Sequence, residues 1–418
     1  MKLELRKYKV RDAVFGSASA LANGILTVNR EEIQSLLNRD RFFDSVCVDI
    51  ARPGEAVRIV HIMDAVQPRM KIEGGASPFP GALGVVEMAG RGKTNLLDGV
   101  AVLQTGARQG IQEGIVDMSG PGAAYSVFSK TINIVLSCTP PADSSNIDFD
   151  RAMRKAGLLT AQYLAGVTKD LDPDEVEVFD SAPFDTSNPS LPRVAYICHL
   201  QSQGTLRDTY VYGENVRALL PTLLHPNEVL DGAIVSSNYI IACQKNPTYL
   251  HCNNPVVREL NRRHGHDLVF AGVIVANEFN TLKEKELSAK FAAKLAAQLG
   301  VQGVVISQEG GGHADTDLML CAAETEKLGI RATILLNEIA GAEGDQPSLV
   351  DTSPFADAVV TTGNNDAVLA LPAMDRVIGG DKIAGIAVAP AEAFTTPLGR
   401  IYTATNQFGA TLMTVREY

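Results

Sequence analysis

The chain has 418 residues, 45% hydrophobic and 20% charged, which suits a globular protein with a substantial core in about two or three domains and excludes a disordered or fibrous chain. A net charge of −11 and the lack of any Lys/Arg-rich run exclude the basic footprint that nucleic acid or an anionic membrane demands. A small metabolite or another protein is the expected partner.

The start, MKLELRKYKV, alternates polar and apolar residues without the apolar centre of a signal peptide. No apolar run reaches the roughly 20 residues of a bilayer span, so a cytoplasmic location is expected. Up to about residue 140, short β-rich runs dominate: GILTVN, SVCVDIARPGEAVRIVHIM, ALGVVEM and KTINIVLSC, each bounded by Gly- and Pro-rich turns. One amphipathic helix, DFDRAMRKAGLLTAQYLAGVT, leads to the polar segment DSAPFDTSNPSLPR, a candidate boundary or exposed loop, and then to the strand VAYICHL. From about residue 255 the pattern alternates. The helix PVVRELNRRHG precedes the strand DLVFAGVIVA, the helix LKEKELSAKFAAKLAAQLG the strand GVVIS, and the helix DTDLMLCAAETEKLG the strands RATILLN and ADAVVTT. Apolar strands alternating with helices predict a mostly parallel sheet covered by helices. The fold class is therefore α/β, with a mainly β amino-terminal domain over 1–235 and an α/β carboxy-terminal domain over 236–418.

Ligands of such sheets bind beyond the carboxyl ends of the strands. Those ends carry Asn277-Glu278, Gln308-Glu309, Asn337-Glu338 and Gly363-Asn364-Asn365. Asn, Gly and Glu are ordinary loop residues, but four successive ends of this kind predict a shared cleft in which Glu278, Glu309 and Glu338 shift one another's pKa values and supply a general acid or base. The loop QEGGGHADTD is the most specific part of this rim. Gly310, Gly311 and Gly312 free the backbone, and a helix starting near Ala314 would turn its N–H groups toward a substrate carboxylate beside His313. A plain turn capped by Asp315 is the alternative.

Two motifs carry less. GRGKTN at 90–95 resembles the end of a phosphate-binding loop, but the first glycine of that motif would fall at Glu87, so no ATP site is expected. The pairs Cys198-His199 and His251-Cys252, with His313 and Cys321, have no zinc-like spacing, and no metal is expected. The six cysteines, at 47, 138, 198, 243, 252 and 321, form no CxxC pair and indicate no disulfide framework. The densest reactive chemistry lies at 236–254, SSNYIIACQKNPTYLHCNN.

The runs ARPGEAVRIV, EGIVDMSGPGAAYSVFSKTIN, LQSQGTLRDTYVYGENV, LPTLLHPNEVLDGAIVSSN, HCNNPVVREL and EGGGHADTDLM together resemble the α/β proprotein of component B in the glycine, sarcosine and betaine reductases, from near the amino terminus to about residue 380. The resemblance implies a precursor cut at an internal cysteine, which becomes a pyruvoyl group, an electron sink made without a dissociable cofactor. It also implies capture of the amine of a glycine-like substrate, reductive C–N cleavage with a selenoprotein or thiol partner subunit, and an oligomeric assembly. Aligned on the family, the Asn-Cys processing site falls on Asn238-Tyr239, and tyrosine cannot form the cyclic intermediate or lose its ring by elimination. The chain is therefore expected to stay intact, with a pyruvoyl group from Cys243 as the alternative.

The catalytic candidates are Cys243, Cys252, His251, Glu309, His313 and Glu338. Asn238, Tyr239, Asn253, Asn254, Glu278, Gly310, Gly311, Gly312, Asp315, Asn364 and Asn365 are expected to line the substrate site. The function expected is that of a substrate-binding reductase subunit acting on a small carboxylate-bearing amino acid or betaine. An unprocessed homologue cleaving a different C–N or C–S bond, and a non-catalytic binding subunit, are the alternatives.

Overall fold

The computed structural model describes residues 1–415 apart from 41, 107–113, 182–187, 203–207 and 237–244. Asn238, Tyr239 and Cys243 lie outside the described residues. The fold is mixed α/β. Its larger sheet has seven strands: β1 (Arg193–Gln201), β2 (Thr222–Leu224), β3 (Val269–Glu278), β4 (Gly303–Ser307), β5 (Arg331–Glu338), β6 (Val359–Asn364) and β7 (Thr414–Val415), in spatial order β2-β3-β1-β4-β5-β6-β7. The five central strands run parallel, and β2 and β7 close the edges antiparallel. Four helices accompany them: α1 (Thr248–Cys252), α2 (Pro255–Arg263), α3 (Leu282–Gln298) and α4 (His313–Glu326).

The continuous apolar runs of the sequence are explained by burial on both faces. All ten residues of β3 are buried. Ile197, Ile274, Ile306 and Ile334 pack beneath α3 and α4, with Ala289, Ala292 and Leu318. On the other face Tyr196, Cys198, Val273 and Val275 meet Leu3, Leu96, Leu230 and Phe408. Each such aliphatic side chain contributes about 1.5–3 kcal/mol through burial. No helix among the described residues is long and apolar enough to cross a membrane.

In the amino-terminal half, one sheet takes strands Glu175–Asp180, Lys2–Lys9, Gly92–Asp98 and Arg69–Glu73 in that order. A second runs Gly114–Asp117, Val57–Val66, Val100–Gly106, Ile132–Thr139, Ser45–Ala51. The halves exchange strands. β1 and β2, which precede residue 235, belong to the parallel sheet, and Arg376–Ile378 pairs with Val57–Ile59. Arg58 ties this crossing together. Fully buried, it grips Asp117 through Nε–Oδ1 at 2.7 Å and Nη2–Oδ2 at 2.9 Å, donates to the carbonyls of Pro372, Pro390 and Glu392, and lies over the Phe394 ring.

One expected strand is absent: ALGVVEM, at 82–88, forms turns and irregular backbone that leave Val85 and Val86 exposed. The backbone turns back on itself instead: Gly81 and Gly84 hold φ of 78° and 79°, and Gly81 N donates to the Val85 carbonyl at 3.2 Å. The neighbouring GRGKTN turn is structural. Gly90 N donates to Asp231 Oδ2 at 2.8 Å, Thr94 Oγ1 to Asp231 Oδ1 at 2.6 Å, and Lys71 Nζ also bonds this buried carboxylate.

Candidate active site

Strands β3, β4 and β5 deliver Glu278, Glu309 and Glu338 to or just past their carboxyl ends, and all three are fully buried. Glu309 is the hub. Its Oε2 accepts from Gln201 N at 2.9 Å and Thr209 Oγ1 at 2.6 Å, and its Oε1 from Asn246 N at 3.2 Å, with His251 Nε2 at 3.2 Å. Burial by itself would raise this carboxyl. The His251 hydrogen bond and the Lys245 ammonium outweigh it and hold the group down at about 2.

Glu309 N in turn donates to Glu278 Oε1 at 2.9 Å. Glu278 moves the opposite way: burial, then the carboxylates of Asp317 and Glu309, drive it well above the ordinary range. Two adjoining carboxyls are thus held as an anion and a neutral acid, the arrangement that separates a base from an acid at one site. Lys245 is also buried and donates to the Asp208 carbonyl at 2.7 Å. Burial lowers its ammonium, while Glu309 and Asp208 act against that shift.

The flanks of 237–244 converge on the same place. Ser236 N donates to Thr248 Oγ1 at 2.9 Å, and Asp64 accepts from Thr248 N at 2.9 Å and Thr248 Oγ1 at 2.6 Å. Burial lifts Asp64 to about 7 against those two bonds. Three residues beyond Lys245, the turn into α1 presents His251 to Glu309, and the His251 ring meets Phe408 edge to face at 5.2 Å. Asn406 Nδ2 bonds Asn246 Oδ1, and Gln407 Nε2 donates to Gly310 O at 3.1 Å. The open hollows at the surface lie elsewhere, one lined by Phe179, Arg258 and His264, another by Arg30, Arg52 and Arg376.

His251, Glu309, Glu278 and Gly310 therefore come together as expected of one cluster, and Glu338 ends the adjacent strand. His313 is exposed at the first residue of α4, and its carbonyl accepts from Lys285 Nζ at 3.0 Å. Gly310 and Gly312 hold φ of 84° and 73°, which lets the loop turn into α4 after Gly311. Asp315 faces the protein, accepting from Gln308 Nε2 at 2.9 Å and Val350 N at 3.0 Å.

Several expected ligand contacts are structural instead. Asn254 caps α2 by accepting from Val257 N at 3.0 Å, and Asn253 bridges Gln67, Tyr249 and Arg258. Asn364 binds the turn after β5 through Ala340 N and the Gly341 carbonyl, and Asn365 accepts from Thr405 Oγ1. Cys252 turns into the amino-terminal core beside Phe79 and Val235, where burial raises its thiol. A nucleophilic thiolate is disfavoured there. Iodoacetamide at near-neutral pH should accordingly leave Cys138, Cys198, Cys252 and Cys321 unlabelled in the native chain and label them after denaturation; peptide mapping that finds Cys252 modified first would overturn this placement.

Sequence reasoning missed Gln201, Thr209, Lys245, Asn246 and Gln407.

A buried pair of carboxyls with opposed protonation, set at the carboxyl edge of a parallel sheet and beside a chain-internal segment, defines a small-molecule enzyme subunit of mixed α/β build. The chain belongs to the family of glycine/sarcosine/betaine reductase component B subunits, whose model matches residues 1–415. It is 45% identical over 382 residues to the glycine reductase complex component B subunits alpha and beta of Acetoanaerobium sticklandii, covering 91% of this chain and 89% of that one. It is 41% identical to the sarcosine reductase complex component B subunit alpha of Peptoclostridium acidaminophilum, with 91% and 89% covered. To the betaine reductase complex component B subunit alpha of the same organism it is 35% identical, with 91% and 88% covered. The D-proline reductase proprotein PrdA of A. sticklandii is 23% identical over 79% of this chain and 53% of its own length. No solved structure gives a significant match.

Proposed function

We propose that this chain is the substrate-binding subunit of a component B type reductase, holding a small carboxylate-bearing amino acid or betaine for reductive C–N cleavage within a multi-subunit complex. The observation that carries this reading is the Glu309–His251–Lys245 cluster packed against both flanks of 237–244. Family membership supports the reaction class, and the names of the relatives, components of reductase complexes, support a multi-subunit assembly; a selenoprotein or thiol subunit as the electron-donating partner is part of this proposal.

Lys245, buried beside Glu309, supplies the positive charge that a substrate carboxylate needs. Glu278, kept as the neutral acid, is placed to give a proton to a departing amine through its own carboxyl oxygen. The buried, partly unsatisfied side chains at the two flanks, Ser236 Oγ and Asn246 Nδ2, fit a small carbonyl-bearing chain end, which Ser236, Lys245 and Asn246 would hold. A pyruvoyl group there would supply an electron sink for the C–N bond. Cys243 is the thiol of this segment from which it would form, and residues 243–418 would then be the unit that carries it.

A denaturing gel with hydrazide labelling tests the last point: two bands dividing the 44.6 kDa chain near residue 242, the smaller labelled, establish processing at Cys243, and one unlabelled band establishes an intact chain. The function itself is tested by equilibrium dialysis of labelled glycine, sarcosine and betaine, followed by amine release once the remaining reductase components and a dithiol are added. Saturable binding of at least one ligand together with its amine product is expected. Absence of both would sink the reading.

A further inference from the structure

The helix-covered face of the strand ends carries a second group of buried polar side chains, which shares Glu278 with the site above. Ile197, Ile274 and Ile306 all pack toward α3 and α4, and they occupy equivalent register positions in β1, β3 and β4. Side chains alternate along a strand, so the residues two further on, His199 and Gln308, share that face, as do Gln201 and its register partner Glu278. These four side chains are at most 2% exposed. Among the described residues each has polar atoms without a hydrogen-bond partner: both ring nitrogens of His199, Gln201 Oε1, Glu278 Oε2 and Gln308 Oε1. Lys285, paired with Asp317, lies alongside, and the proximity of its ammonium adds to the burial that lowers His199 to about 3.

Five unpartnered buried atoms on one face are too many for an ordinary interior, where each such group costs about 1–3 kcal/mol. Their chemistry is one-sided. The two amide oxygens accept only, a neutral imidazole offers one acceptor and one donor, and Glu278, kept neutral with Oε1 accepting from Glu309 N, offers at Oε2 a hydroxyl that can accept or donate. A guest matching this set brings several N–H donors, little bulk and no large apolar surface.

Building on the function proposed above, we infer that His199, Gln201, Glu278 and Gln308 form the pocket for the substrate's amino group and select primary and secondary amines over trimethylated nitrogen. A trimethylammonium carries no N–H, so it would leave these acceptors unanswered and place methyl groups against them. A site built to receive donor hydrogens discriminates strongly against analogues that lack them.

The test compares the full-length wild-type chain with His199→Phe. Both His199 nitrogens lack partners among the described residues, so the substitution removes none of the hydrogen bonds described above and leaves the Glu309 cluster untouched. Equilibrium dialysis is expected to show glycine or sarcosine binding at least about tenfold more tightly than betaine to the wild type, with that preference lost in His199→Phe while its thermal midpoint is unchanged or higher. Equal affinity for all three ligands, or an unaltered preference in the variant, would overturn the inference. If none of the three binds, the function proposed above fails, and the pocket is read with methylammonium and tetramethylammonium instead. A thermal shift by methylammonium alone, absent in His199→Phe, upholds the pocket. Equal shifts, or none with either cation, mean a chamber holding water only and overturn it.

Discussion

Glu309→Gln is expected to lower amine release by the assembled reductase about a hundredfold or more, the scale at which a positioned acid–base group contributes. Four donors point at this carboxylate from Gln201, Thr209, Asn246 and His251. An amide sets an N–H against some of them and removes the charge that faces Lys245. The substitution also carries a stability signature. Because the folded-state value of about 2 lies below the ordinary carboxyl value of 4.5, the ionised group stabilises the fold above the unfolded pKa, and this contribution is lost as pH falls from about 4.5 through 2. At about 1.4 kcal/mol per pH unit it amounts to about 3 kcal/mol. Denaturation profiles should thus show Glu309→Gln less stable at neutral pH, the gap to wild type closing as the solution is acidified toward pH 2. A constant gap, or an unchanged turnover in the folded variant, would remove Glu309 from the centre of the site.

Arg58→Ala should give the largest loss of stability, about 3–5 kcal/mol, because it strands Asp117 as a buried charge and releases the carbonyls of Pro372, Pro390 and Glu392 together. A fall of about 5 °C in the thermal midpoint is the expected reading for a chain of this length. Much of it should return in a chain that carries both Arg58→Met and Asp117→Leu, since a buried pair replaced by apolar side chains of similar size leaves nothing unpaired. If the double variant is no more stable than Arg58→Ala, the anchoring of the carboxy-terminal arm, and not the stranded charge, is the dominant effect.

Both residues illustrate what was legible in the amino-acid order. Strands β3 to β6 and helices α3 and α4 could be read because a strand buried on both faces is a continuous apolar run and a covering helix is not, so the alternation marks itself. The place of β1 between β3 and β4 could not, since VAYICHL looks the same at any position in a sheet and its partners lie about 75 and 110 residues away in the chain. The three-residue β2, hemmed by Pro221 and His225, has no period at all. At the site, Glu278 and Glu309 were readable as strand-end residues. Lys245, Asn246 and Gln407 come from irregular segments with no periodicity to give them away. Asn254 also carries a cap signature, Asn before Pro at a helix start, and it accepts from Val257 N in the first turn of α2.

The exchange of strands between the halves bears on what covalent continuity is worth here. A cut between Ala242 and Cys243 would leave β1 and β2 on the amino-terminal piece and the strands they pair with, β3 and β4, on the other, while Arg376–Ile378 would stay clasped beside Val57–Ile59 from the opposite side. Each piece would thus complete a sheet belonging to its partner. After such a cut, strand pairing in place of covalent continuity would hold together the frame that carries the buried carboxyls.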